Sequence, residues 1–127
     1  MLVSDAMSTI VLTIGPDHTL RQAARLMSAR KVGSAVVLDP DTYGLGILTE
    51  RDILNSVGAG QDPDHERAAA HTTTDVVFAA PEWTLEEAAA SMVRGGFRHL
   101  IVLDGHELVG MVSVRDIIRC WAPALAA

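Results

Sequence analysis

The sequence predicts an α/β (α+β) fold made of one β-α-β-β-α unit written twice, and three observations predict it. Pro16, Thr19, Leu20, Ala23, Ala24 and Met27 recur as Pro81, Thr84, Leu85, Ala88, Ala89 and Met92 at a constant offset of 65. Each half carries one apolar stripe of helical period. Each half also carries short apolar runs set off by proline and glycine turns, the pattern of strands. Two copies make a duplicated domain and not a solenoid, because solenoids share a core over three or more units.

The elements follow in order. Val11 to Ile14 and Val76 to Phe78 are rich in β-branched residues and are closed by proline turns, so both read as short strands. Thr19 is placed to cap a helix whose Leu20, Ala23, Ala24 and Met27 fall on the i, i+3, i+4, i+7 stripe, and Thr84 repeats the arrangement for Leu85, Ala88, Ala89 and Met92. Gly33 and the pair Gly95, Gly96 break these helices. The run Ala35, Val36, Val37, Leu38, Asp39 then matches Leu100, Ile101, Val102, Leu103, Asp104, and each run enters a hairpin-like pair of strands. A one-residue difference in turn length changes the offset to 64, and a second helix begins at Glu50 or Val114. Gly58 to Asp64, with two glycines, a proline and two aspartates, reads as the linker, which divides the chain into repeats 1–60 and 61–127. His65 to Thr74 is expected to re-enter structure as a short helical turn.

At 127 residues the chain suits one domain burying roughly two-thirds of its unfolded surface. Ten Lys and Arg against sixteen Asp and Glu leave a net charge of −6, which disfavours an electrostatic grip on nucleic acid or an anionic membrane. Aromatics at 4% supply no stacking platform for single strands. The lone Cys120 excludes an internal disulfide framework and a thiol cluster, and reads as a small core residue in a reducing cytoplasm. No apolar run approaches the ~18 residues of a membrane span, and Met1 to Ile10 lacks the pattern of a signal peptide. A soluble, unprocessed chain is the expectation, and Met1 followed by a whole first repeat argues against truncation at the front.

The chemistry concentrates in one repeated segment: Gly46, Ile47, Leu48, Thr49, Glu50, Arg51, Asp52, and again Gly110, Met111, Val112, Ser113, Val114, Arg115, Asp116. A glycine opens a strand where a ligand or a neighbouring backbone must come close. The strand ends at a hydroxyl residue that caps the next helix, where open amides and the positive dipole end favour a phosphate. The aspartate three residues on lies one turn up the same face, where a carboxylate accepts hydrogen bonds from a ribose diol. The same spacing, Thr49 with Asp52 and Ser113 with Asp116, is also that of a capping box, which needs no ligand, and the two roles can coexist.

Other constellations carry less. His65, Glu66 and His71 lack the helical spacing of a zinc protease, so no metal site is expected. His18 and His106 lie in turns and are expected to be solvated. Asp39 and Asp41 flank Pro40 in a turn, where aspartates bond locally. Trp83 and Trp121 read as packing residues, with Trp121 a candidate for a subunit interface. No nucleophile elbow, phosphate-binding P-loop or dinucleotide glycine pattern is present, so no catalytic residue is expected.

On the two motifs, the chain resembles a tandem pair of CBS (cystathionine-β-synthase) domains, the Bateman module, over about residues 1 to 122. The resemblance implies repeats packed through their sheets about a pseudo-twofold axis, leaving clefts for AMP, ADP, ATP, S-adenosylmethionine or related ligands. It implies that Asp52 and Asp116 bind ribose hydroxyls and that Thr49 and Ser113 contact phosphate or sugar. It further implies an adenine slot formed by Thr13, Ile14, Ser34, Ala35 and Val36 in one repeat and Phe78, Ala79, His99, Leu100 and Ile101 in the other. Arg98 and His99 stand where such pairs often reach phosphate, whereas the first repeat has Gly33 and Ser34 there. Arg51 and Arg115 are further phosphate candidates. The implied function is a non-enzymatic sensor of adenine nucleotides, commonly a homodimer through helices whose Ala23, Ala24, Ala88, Ala89 and Ala90 allow close approach, signalling to an effector protein. The alternative is an interaction scaffold whose motif residues only cap helices.

Overall fold

The structure, a computed structural model, describes residues 1–126, with side chains described through residue 122. The elements run α1 (Val3–Ala6), β1 (Thr13–Ile14), α2 (Leu20–Arg30), β2 (Ser34–Leu38), β3 (Leu45–Thr49), α3 (Glu50–Gly58), a 3-10 turn (Ala68–Ala70), β4 (Phe78–Ala79), α4 (Leu85–Gly95), β5 (His99–Asp104), β6 (Glu107–Ser113) and α5 (Val114–Ala126). The twofold β-α-β-β-α order is therefore present. The first strand of each repeat is only two residues long, because only two positions pair with the neighbouring strand: Thr13 and Ile14 with Val36 and Val37, Phe78 and Ala79 with Ile101 and Val102, both parallel. β2 and β3, and β5 and β6, are antiparallel hairpins.

By packing, one unit is Leu12–Val76 and the other is Met1–Val11 together with the chain from Val77 onward. This differs from the division by sequence repeat, since the first eleven residues join the second unit. α1, which no sequence pattern announces, buries Val3 and Ala6 there beside Leu85, Ala88, Met92 and Leu100. Its entry is held by hydrogen bonds from Leu85 N–H to Met1 O and from Val3 N–H to Trp83 O. Ile117 of α5 completes that core, with Cys120, Trp83 and Trp121 packed at its margin. In the unit Leu12–Val76 the core gathers Leu20, Ala23 and Met27 of α2 with Ile14, Ala35, Val37 and Leu48 of the sheet and Ala68 of the 3-10 turn. Burying one large aliphatic side chain contributes about 1.5–3 kcal/mol, so the helical stripe and the sheet residues it packs on stabilise each unit together.

Two close approaches explain the motif glycines. Thr73 bridges Ile47 through paired hydrogen bonds of 2.9 Å, and Ser8 bridges Met111 at 2.9 and 3.0 Å. A Cβ on Gly46 would lie 2.8 Å from Thr73 O, and one on Gly110 would lie 2.7 Å from Ser8 O. The neighbour that demands glycine is backbone, at equivalent places in both repeats.

Candidate functional site

Both motifs place a hydroxyl residue at the end of a strand and a carboxylate in the first turn of the next helix. Thr49 caps α3: its N–H and Oγ1 donate to Asp52 Oδ2 at 2.7 and 2.9 Å, and Asp52 N–H donates back to Thr49 Oγ1 at 3.3 Å. Ser113 and Asp116 repeat the set at 2.8, 2.9 and 3.1 Å. The capping reading is thus realised in both copies, and it uses one carboxylate oxygen, Oδ2, of each aspartate. Few first-turn amides stay open, fewer than the sequence suggests. Glu50 N–H donates to Gly33 O and Val114 N–H to Arg98 O, both at 2.9 Å, so in each motif the arginine amide at position 51 or 115 is the donor left over. The residue that leads into β2 or β5 lies beside the helix N-terminus and consumes the first amide.

The strand register sorts the remaining expected residues onto two faces. Ser34 pairs with Thr49, and Val36 with Thr13 on one side and Ile47 on the other, so Thr13, Ser34, Val36 and Thr49 share one face of their sheet. His99 pairs with Ser113, and Ile101 with Phe78 on one side and Met111 on the other, which puts the equivalent four on one face of the second sheet. Thr13 and Phe78 are exposed at the rim of these faces. Ile14, Ala35, Ala79 and Leu100 lie on the opposite face, within the two hydrophobic cores and at most 3% exposed. Their side chains pack against helices, so a ligand reaches them only through their backbone.

Arg51, Arg98 and Arg115 are exposed and His99 is half-buried. The repeats differ at equivalent points. The Glu50 carboxylate lies against Gly33, at the distance of ordinary contact for an added Cβ, where the second repeat has Val114 and Arg98. Arg119 Nη2 donates to Asp116 Oδ1 at 2.8 Å, while Asn55 stands at that place in the first repeat. Neither Glu50 nor Arg119 was singled out from sequence; the i, i+3 spacing of Arg119 from Asp116 was the signal available for the latter.

His106 is exposed as expected, and three other histidines make local contacts. His18 Nδ1 accepts the Gly15 N–H at 3.0 Å, because the turn after β1 folds the ring back onto the chain, which corrects its expected solvation. His71 Nε2 pairs with Glu66 and His65 Nδ1 with Asp62, at 2.8 and 2.7 Å. Among the described residues no three His, Cys, Asp or Glu converge on one point. A half-open hollow of about 340 Å³ in the unit Leu12–Val76 is lined by Pro16, Asp39, Thr42, Gly46, Thr72 and Thr74, none of them an expected ligand residue.

Comparison with known proteins extends these observations. The CBS domain family model matches twice, at residues 3–59 and 68–122. A CBS domain-containing protein of Bacillus subtilis, YhcV, is 34% identical over 116 residues, which is 91% of this chain and 81% of that protein. Among solved structures, a hexameric CBS-CP12 protein from bloom-forming cyanobacteria is similar with a TM-score of 0.88 and 30% identity, covering 93% of this chain and 66% of that one. A CBS domain protein from Pyrobaculum aerophilum, complexed with AMP, is similar with a TM-score of 0.84 and 27% identity, covering 99% and 98% of the two chains.

Proposed function

The chain belongs to the CBS-domain family as a tandem pair, and on that premise we propose that it is a regulatory module that binds an adenine-type nucleotide and passes its occupancy to a partner protein. The observation that carries the reading is the duplicated motif: a helix N-terminus, a capping hydroxyl and a carboxylate, at Thr49 and Asp52 and again at Ser113 and Asp116. In this reading the aspartates take ribose hydroxyls, and Thr49, Ser113, Arg51, Arg115, Arg98 and His99 take phosphate or sugar. Thr13 and Phe78 border the adenine, and Ile14, Ala35, Ala79 and Leu100 offer backbone to it. The relative from Pyrobaculum aerophilum complexed with AMP supports this ligand class, with ADP, ATP and S-adenosylmethionine as the related candidates. The module works in the cytoplasm, without catalysis, as a homo-oligomer; no described helix is long and apolar enough to cross a membrane. Its output follows from linkage: a ligand shifts a partner only by the difference in its affinity for two states of the module.

The scaffold reading is favoured by one observation, that both motifs close as capping boxes without a ligand. Thermal melting with AMP, ADP, ATP, S-adenosylmethionine and NADH separates the two. A ligand bound by the folded state alone stabilises it by about 2.7 kcal/mol at a hundred times its Kd, and raises the midpoint accordingly. The expected result is a rise with at least one adenosine compound; no rise with any of them leaves the scaffold.

A further inference from the structure

We propose that Arg119 masks Asp116, so that Asp52 is the carboxylate that takes a ribose diol first and the second motif fills only by displacing a guanidinium. The inference rests on the nucleotide-binding reading and assigns an order to its two motifs. In both copies Oδ2 is held by the capping residue, which leaves Oδ1 to receive a diol. Among the described residues Asp52 Oδ1 has no bonding partner, whereas Asp116 Oδ1 accepts Arg119 Nη2 at 2.8 Å. The Asp116 side chain is 13% exposed and that of Arg119 is 63% exposed, so the guanidinium covers the carboxylate from the solvent side. The equivalent residue before Gly58 is Asn55, which carries no charge and makes no bond to Asp52.

A diol hydroxyl approaching Asp116 has to compete with a charged, forked donor that already occupies the outer oxygen. Displacing a solvent-exposed ion pair costs little, which sets the expected size of the effect at about two- to five-fold in affinity. Arg119 is therefore a specificity-determining residue of the second motif, acting through Asp116.

Calorimetric titration with adenosine tests this, since an uncharged ligand reads the diol and leaves phosphate attraction out. Wild type is expected to show a tighter and a weaker site, and Asp52→Asn to lose the tighter one. Adding Arg119→Asn to Asp52→Asn is expected to strengthen the remaining site about two- to five-fold. Salt supplies a signature that a packing role would not: with Arg119 present, affinity at the second site rises as salt screens the ion pair, and with Arg119→Asn that dependence disappears. Arg119→Lys keeps the charge without the fork, so its affinity falls between the two. If wild type binds adenosine and Arg119→Asn leaves the second site unchanged or weaker, the masking role is overturned and nucleotide binding stands. If wild type binds neither adenosine nor AMP, the nucleotide reading falls, and the ordering falls with it.

Discussion

Asp52 and Asp116 each serve a helix with Oδ2 and keep Oδ1 outside the cap, so capping and the proposed ligand contact are separable by atom. Asp52→Ala is expected to weaken adenine-nucleotide binding by about 1.5–3 kcal/mol, the range for hydrogen bonds to charged groups. Asp116→Ala is expected to cost less, because Arg119 already engages its outer oxygen; equal losses in calorimetry would put the two motifs on the same footing. Gly46 is held by geometry alone. A Cβ there would stand 2.4 Å from Thr72 Cγ2 and 2.8 Å from Thr73 O, and backbone cannot give way cheaply. Gly46→Ala is therefore expected to destabilise the protein by about 1–3 kcal/mol in urea unfolding, while Gly58→Ala, which meets nothing within 4 Å, stays near neutral.

At the scale of the element, the equivalent helices α2 and α4 end differently in the same place. Gly96 closes α4 in the left-handed region at φ 71°, and its equivalent after α2 is Lys31 at φ 55°. A side chain in that region costs roughly 1–2 kcal/mol, part of which a glycine returns as extra freedom of the unfolded chain. Lys31→Gly is expected to raise stability by about 0.5–1 kcal/mol by denaturant unfolding, and an unchanged midpoint would mean that the strain is relieved locally. The N-terminus of α2 is tied to the loop before the 3-10 turn: Leu20 N–H donates to Glu66 O, Arg21 N–H to Pro63 O, and the Arg21 guanidinium pairs with Asp64. That pairing holds Arg21 above its usual value. The Asp64 amide, and then the His65 ring, hold the Asp62 carboxyl below its ordinary value. Because the folded value is depressed, the contribution of Asp62 to loop docking is present above the ordinary aspartate range near pH ~4 and is lost as pH falls through the lower folded value. Amide exchange at Leu20 and Arg21, corrected for intrinsic rate, is expected to quicken across that acid step, and Asp62→Asn removes the step.

At the scale of the whole molecule, the proposed regulation without chemistry makes its own prediction. Among the described residues no three His, Cys, Asp or Glu gather as metal ligands, and the Asp52 and Asp116 oxygens that meet the motif hydroxyls are the ones engaged in capping. ATP incubated with the protein and magnesium is expected to be recovered intact. ADP release that copurifies with the chain and vanishes in Asp52→Ala would overturn a purely sensing role. Light scattering with and without AMP reads whether a ligand changes the assembly state of this chain.

The duplication, the repeated β-α-β-β-α order, the capped helices and the two motifs, though not α1, are legible in the sequence, because each is a matter of spacing along a few turns of chain. Thr19, Thr84, Thr49 and Ser113 cap helices where local geometry puts them, and their partners lie three residues away. Long-range packing set which residues share a sheet face and which hydrogen-bonding groups remain open. Strand pairing set Thr13, Ser34, Val36 and Thr49 on one face and turned Ile14 and Ala35 into the core, although all six are close in sequence terms to the same strands. Long-range bridges from Ser8 and Thr73 explained the motif glycines, and the residue leading into β2 or β5 closed an amide at each helix N-terminus that looked available. Local patterns encode hydrogen bonds between neighbours; the remaining donors, acceptors and faces are whatever the packed chain leaves over.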